Sequence, residues 1–417
     1  MVKKNYNWEQ GATLDEHSKC KHKILREYFR EYLITRCKNP KQSKFRLAIV
    51  DGFSGAGRYK CESYGSPLIF LDALKNTTHE INVVRACNGT QLVEIECYLT
   101  FNDLDPEAIS QLKQNIAPME TEIKNEHTHL HIQSSFYNRK FEDVYPEIKS
   151  TLQSAKYKNV LFNLDQCGYS DVNTSFIRDI MATWTTVEIF LTFPIGAIRT
   201  YLSPDQTKSK VLSGEPELLK KIHAPIEDEE NIDVNKPQWL GMVESIIFKK
   251  LQNLAPFTSP FSINNPNGWR YWLMHFANNY RARQVYNNIL HSNSKAQAHF
   301  GRSGLNMLHY DPQFEGQLYL FDDNSREDAK KDLHDDIPKL IAEHGDAINI
   351  GDFYLDIYNE TAAHSDDIHE MIIENSDIEV ITEAGGERHK ANTIRFSDLL
   401  RLKQQRTIFP MFFGKNK

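Results

Sequence analysis

The sequence predicts an α/β fold built on a doubly wound parallel sheet, followed by a smaller α+β unit. Three observations carry this. Short apolar runs of strand length, Phe45 to Asp51, Glu96 to Phe101, His129 to Gln133, Asn159 to Asp165 and Val187 to Phe193, alternate with helical segments, the pattern of strands joined by crossover helices. The first run passes at once into Asp51-Gly52-Phe53-Ser54-Gly55-Ala56-Gly57-Arg58-Tyr59, a glycine-rich bend at the strand end where open α/β sheets hold ligands. Beyond Asp322, helical sequence leads to Glu379-Val380-Ile381, the pair Gly385-Gly386 and Asn392 to Phe396, helices and a β-ribbon in the order of a winged helix.

Residues 24, 25, 28, 29, 32 and 33 are apolar at helical spacing, so the chain opens on an amphipathic helix that Asn39-Pro40 ends. After the glycine bend, Ser66 is the expected N-cap and Pro67 the first residue of a helix from Leu68 to Leu74. Asn76 to Gly89 is polar and is expected to loop out before the second strand. Asp105-Pro106 starts a helix to about Ile116. The segment 203–240 is polar and proline-punctuated, and is expected to be an insertion. Gly268-Trp269 begins a further strand to Phe276, followed by a helix from about Arg281 to His291. A break near Asp322 to Asp328 divides the chain into 1–321 and 322–417.

A chain of 417 residues exceeds one small core. Its formal net charge of −7 argues against coating a polyanion with the whole surface. Six scattered cysteines without a CxxC pair encode neither a zinc ribbon nor an iron–sulfur cluster. No apolar run approaches the roughly 18 residues of a membrane span. These features lead us to expect a cytoplasmic protein with reduced thiols.

Candidate chemistry gathers at the strand ends. Glycines at 52, 55 and 57 allow a ligand close to the backbone, and Asp51 can meet its cationic or hydroxyl groups. The spacing is shifted from that of a dinucleotide fingerprint. Asp103 ends the second strand, where one carboxylate can accept two ribose hydroxyls; capping the next helix is the alternative for Asp103 or Asp105. Asp165, in Asn163-Leu164-Asp165-Gln166-Cys167-Gly168-Tyr169, ends the fourth strand. A carboxylate there, with the Tyr169 ring nearby, can hold a planar amino group for attack on a methyl donor. Cys167 has no basic neighbour in sequence to activate it. Residues 388–417 hold eight basic residues and one acid, Asp398, and suit phosphate contact.

Trp8, Gly11, Leu14, His17-Ser18-Lys19, the run from Asp51 to Tyr59 and Gly65-Ser66-Pro67 together resemble the three-Cys-motif partner protein (TcmP) family of bacteria. The run from Leu161 to Tyr169 is similar to that family's Phe-x-Asp-Pro-aromatic-Gly signature, with Gln166 for the proline and Cys167 for the aromatic residue. The resemblance implies a Rossmann-like, class I methyltransferase-type fold with a C-terminal winged-helix-like unit. It implies S-adenosylmethionine (SAM) as cofactor and a three-Cys-motif, radical-SAM-like protein as partner. On that reading Asp51, Gly52, Phe53, Gly55 and Gly57 shape the methionine end of the pocket, Asp103 holds the ribose and Ser135 borders the adenine. Asp165 and Tyr169 then face the acceptor, a nucleic acid or modified base. The alternative function is a non-catalytic Rossmann shell that binds protein or DNA through its C-terminal unit.

Overall fold

The computed structural model describes residues 11–166, 173–193, 195, 244, 246–264, 270–293, 297–298, 303–308 and 323–403. The expected insertion at 203–240 and Tyr169 lie outside the described residues. The chain divides into two compact units, one of 1–302 with 308–322, the other of 303–307 with 323–417.

The first unit is α/β. Its strands are β1 (Lys44–Asp51), β2 (Glu94–Asn102), β3 (Leu130–Tyr137), β4 (Asn159–Leu164), β5 (Thr186–Phe193), β6 (Phe257–Asn264), β7 (Arg270–Ala277) and the short β8 (Gln297–Ala298). They form one sheet in the order β3-β2-β1-β4-β5-β7-β6-β8. Strands β1 to β5 are parallel. Strand β7 runs antiparallel to both β5 and β6. The strand order reverses between β1 and β4, which is where a ligand crevice opens in such sheets.

Its helices are α1 (Glu16–Arg36), α2 (Ser66–Cys87), α3 (Pro106–Glu126), α4 (Phe141–Ser154), α5 (Thr174–Thr183) and α6 (Tyr280–His291). Several expectations need correction. Helix α2 does not stop at Leu74, and 76–89 is no loop. Thr77, Thr78, Ile81, Asn82 and Arg85 are buried and carry the helix on, until Gly89 turns with φ +63. The buried Arg85 guanidinium donates to the carbonyls of Cys37, Asn39, Gln42 and Gln91 at 2.6–2.9 Å, fixing the end of α2 against the end of α1. The N-cap of α2 is Gly65, with Ser66 already helical. Asp105 does cap α3, accepting the Glu107 N–H at 2.9 Å, and that helix runs ten residues beyond Ile116 because Met119 and Ile123 continue its buried stripe. Strand β6 was not anticipated.

Alternation along the strands gives the sheet two different faces. Val50, Phe162, Leu164, Ile189, Leu191, Met274 and Phe276 share an apolar core with α4 and α5. The opposite face carries Asp51, Asn159, Asn163, Asp165, Thr192, Glu188 and His275, and α1 meets it through a ring stack and several polar contacts, among them Arg36 donating to Asn159. His17 stacks on Tyr271 at 4.6 Å. Lys21 pairs with Asp165. The buried Tyr28 hydroxyl donates to Glu188, whose Oε2 lies 3.4 Å from His275 Nε2. Burial holds the His275 ring below its ordinary pKa, so this contact is a hydrogen bond of a neutral imidazole.

The second unit is α+β. Helices α7 (Asp323–Glu343), α8 (Ile350–Ile357) and α9 (Ser365–Glu374) accompany strands β9 (Ala347–Asn349), β10 (Ile378–Ile381) and β11 (Leu399–Leu402). The strands form an antiparallel sheet in the order β10-β11-β9. The acidic stretch from Asp323 to Asp328 opens α7, where acids favour a helix N-terminus, and the two units divide at its start. Residues 303–307 join this unit through bonds from Leu305 N–H to Asp336 (3.2 Å) and from the Thr361 hydroxyl to Gly304 O (2.7 Å). The second arm of the ribbon is Leu399–Leu402, not 392–396. Leu400 is fully buried, whereas Arg395 and Phe396 are exposed. Among the described residues no helix is long and apolar enough to cross a membrane.

Candidate functional site

The ends of β1, β2 and β4 meet at the order reversal, and the glycine bend is tied to both neighbours. Gly52 N–H donates to Asn163 O (2.9 Å) and Ser54 N–H to Asn102 O (2.9 Å). The buried Asn102 amide donates to the carbonyls of Gly52 and Arg139, both at 3.0 Å. Gly55 N–H donates to Asp103 Oδ2 at 2.9 Å.

The glycines are required for different reasons. A Cβ on Gly52 would stand 2.8 Å from both Leu164 and Phe141, so packing excludes it. At Gly57 the backbone is left-handed, φ +76, and a Cβ would meet Leu112 at 2.6 Å. Gly55 is also left-handed, φ +58. The Phe53 ring turns inward, 5.9 Å from that of Phe141.

Asp51 is fully buried. Its Oδ1 accepts from the Asn163 amide at 3.1 Å, while Oδ2 has no partner of good hydrogen-bond geometry. Burial pushes the carboxyl up to about 7, against the Ser66 hydroxyl and the Asn163 amide, with Asp165 adding to the rise. Asp103 has each oxygen on a backbone N–H, that of Gly55 and that of Asp105 at 2.9 Å, and burial raises it too. It therefore clamps the bend, and keeps second lone pairs for a further donor. Ser135 lies two residues before the end of β3, its hydroxyl 3.2 Å from Thr100 Oγ1 and 3.3 Å from Leu99 O, turned along the sheet rather than at its tip.

Asp165 is gripped by Lys21, whose Nζ lies 2.6 and 2.7 Å from its two oxygens. Burial opposes the charge, but the ammonium and the Thr192 hydroxyl hold this carboxyl below its ordinary pKa. The neighbouring His22 is pushed down to about 4, by burial first and then by Lys21. It is thus neutral, with Nδ1 buried and unpartnered and its ring 5.6 Å from that of Tyr59.

The structure brings Asp51, Gly52, Gly55, Gly57, Asp103 and Asp165 to one sheet edge. Lys21 and His22 escaped the sequence reading. Their signal was positional: continued toward the N-terminus, the stripe of Leu25, Tyr28 and Tyr32 lands on Ser18, Lys21 and His22, which are all buried.

In the second unit, the cations of α7 are committed internally. Arg326 donates to the buried Asp367 at 2.6 and 2.7 Å. Lys330 reaches Glu370, Lys331 reaches Asp328 and Lys339 reaches Asp336 at 2.9–3.9 Å. Helix α9 carries Asp366, Asp367, Glu370 and Glu374 and no lysine or arginine. In the wing, 382–398, Arg388 is held by Asp398 at 3.0 Å, and Lys390 and Arg395 are exposed.

A family model described as a GMT-like wHTH domain, a winged helix-turn-helix, matches residues 309–385. No curated protein matches the chain.

Proposed function

We propose that the chain is a SAM-dependent methyltransferase of the class I type, with its cofactor at the tips of β1, β2 and β4. The observation that carries this reading is Asp51: a buried carboxyl at the order reversal, beside a bend of glycines, with one oxygen that no protein donor meets in good hydrogen-bond geometry. Native proteins seldom leave a buried acceptor unanswered unless a water, an ion or a ligand answers it, and the glycine bend beside Asp51 favours a ligand. The sheet order adds support. A nicotinamide-type fold has the order 3-2-1-4-5-6, whereas here an antiparallel strand separates β5 from β6. Asp103 then clamps the bend and offers its remaining lone pairs to the ribose. A nucleic acid or modified base is the proposed acceptor, reached with help from the winged unit. A three-Cys-motif, radical-SAM-like partner enters on the sequence resemblance alone.

Calorimetric titration of SAM and S-adenosylhomocysteine into the wild type and Asp51→Ala tests the reading. Binding by wild type and its loss in the variant is expected; no binding by wild type defeats it.

One observation favours a second reading, a non-catalytic partner protein. Asp165, the residue proposed to face an acceptor amine, already has both oxygens on Lys21. Co-purification with a partner, and no methyl transfer despite SAM binding, would decide for it.

A further inference from the structure

The first turns of α1 bring to the sheet edge a charge that the glycine bend lacks. Lys21 is held there from two sides, by Asp165 and by its own burial, so its ammonium is fixed rather than free to swing. An ammonium has three N–H groups, and two of them point at the Asp165 oxygens. His22 beside it is uncharged and brings no competing cation. On the other side, Asp51 Oδ2 is a buried acceptor that no protein donor meets in good hydrogen-bond geometry, and the Asp165 charge adds to the rise of its pKa. The edge thus offers one committed ion pair, one N–H and one unanswered carboxylate oxygen. An apolar ligand would leave both of the latter unanswered. A ligand carrying an ammonium and a carboxylate on one carbon satisfies both.

We propose that Lys21 completes a subsite for the amino-acid end of an adenosyl-type ligand, receiving its carboxylate while Asp51 Oδ2 receives its ammonium. The proposal rests on the methyl-donor reading above and deepens it. Helix α1 becomes part of the binding site rather than a support for the sheet, and Lys21 is a ligand-binding residue held in place by Asp165.

Two ligands separate the readings. S-adenosylhomocysteine has the amino-acid group, and 5′-methylthioadenosine has the same adenosyl thioether without it. Both are titrated into the full chain as wild type, Lys21→Met and Lys21→Met/Asp165→Asn. The double variant removes the carboxylate that the single variant leaves uncompensated, and thermal melts verify folding. Affinity for S-adenosylhomocysteine is expected to fall about tenfold or more in both variants. Affinity for methylthioadenosine should stay within about twofold. Equal losses for the two ligands, or an unchanged affinity for S-adenosylhomocysteine, overturn the proposal and leave the methyl-donor reading standing. Wild type binding neither ligand overturns both.

Discussion

The glycine bend at 52–57 and the wing at 382–398 are both irregular backbone anchored by one carboxylate, yet one is buried and the other exposed. Gly55 N–H donates to Asp103, and Arg395 N–H donates to Asp398 at 2.7 Å. The bend is buried nearly throughout, with its peptide groups bonded to the strands on either side. The wing projects Lys390, Arg395 and Phe396, the last 54% exposed. The carboxylate fixes the position of each; exposure decides what each can recognise. A buried bend discriminates by close approach, an exposed arm by charge. The acidic α9 sharpens the contrast, because it would repel phosphate where a second helix usually reads bases. The nucleic-acid contact proposed for this unit would therefore fall to the wing.

The largest test of that comparison is Asp398→Ala. It strips the buried partner from Arg388 and the acceptor from Arg395 N–H, and should cost about 3–5 kcal/mol in urea unfolding followed by a probe in the second unit. A loss below about 1 kcal/mol would mean that the wing is not carboxylate-anchored.

At the other anchor region the test is pH. The Asp51 carboxyl stands at about 7 against an ordinary 3.8, so between those values the native chain holds the extra proton. Its contribution is full at low pH and is lost as pH rises through about 7. His22 stands at about 4 against 6.5, so there the unfolded chain holds the extra proton and stability rises with pH. The two slopes oppose each other. Asp51→Asn should gain stability relative to wild type between pH 4 and 7, on the order of 4 kcal/mol. His22→Gln should lose about 3 kcal/mol relative to wild type between pH 4 and 6.5. Denaturation midpoints across pH decide, and variants that track wild type would remove both burial claims.

Gly57→Ala forces a side chain into left-handed backbone and against Leu112, at an expected cost of about 1–3 kcal/mol. A calorimetric melt measures it. The smallest structural effect belongs to Lys390→Glu/Arg395→Glu, within about 0.5 kcal/mol of wild type in the same melt. The salt dependence of DNA or RNA binding should weaken by about two phosphate contacts, and an unchanged salt slope removes the wing from contact. Deleting 388–417 would be a poor substitute, since it removes β11 and its buried Leu400.

Much of the first unit was legible because its strands are short apolar runs ended by polar tips. The five parallel strands lie within a few residues of their expected spans. Strand β6 was not legible: Pro260 and the serines at 259 and 262 interrupt the apolar run, and β7 is what makes it a strand. The length of α2 was hidden because its inner face uses threonine, asparagine and arginine where a periodicity search expects leucine. At the site, Asp51, Asp103 and Asp165 were visible as strand-end acids. Lys21 was not, because its partner lies 144 residues away and no local spacing predicts so distant a pairing.

The contacts beneath α1 carry a consequence for how this molecule is made. The helix leaves the ribosome well before its resting places: Asp165 follows Lys21 by 144 residues, Glu188 follows Tyr28 by 160, and Tyr271 and His275 come later still. Until then its histidines, Lys21 and Tyr28 stay hydrated, and contacts this distant in sequence form slowly. A truncated chain would own the glycine bend yet lack the surface on which α1 settles, so the crevice is finished only after the sheet itself is.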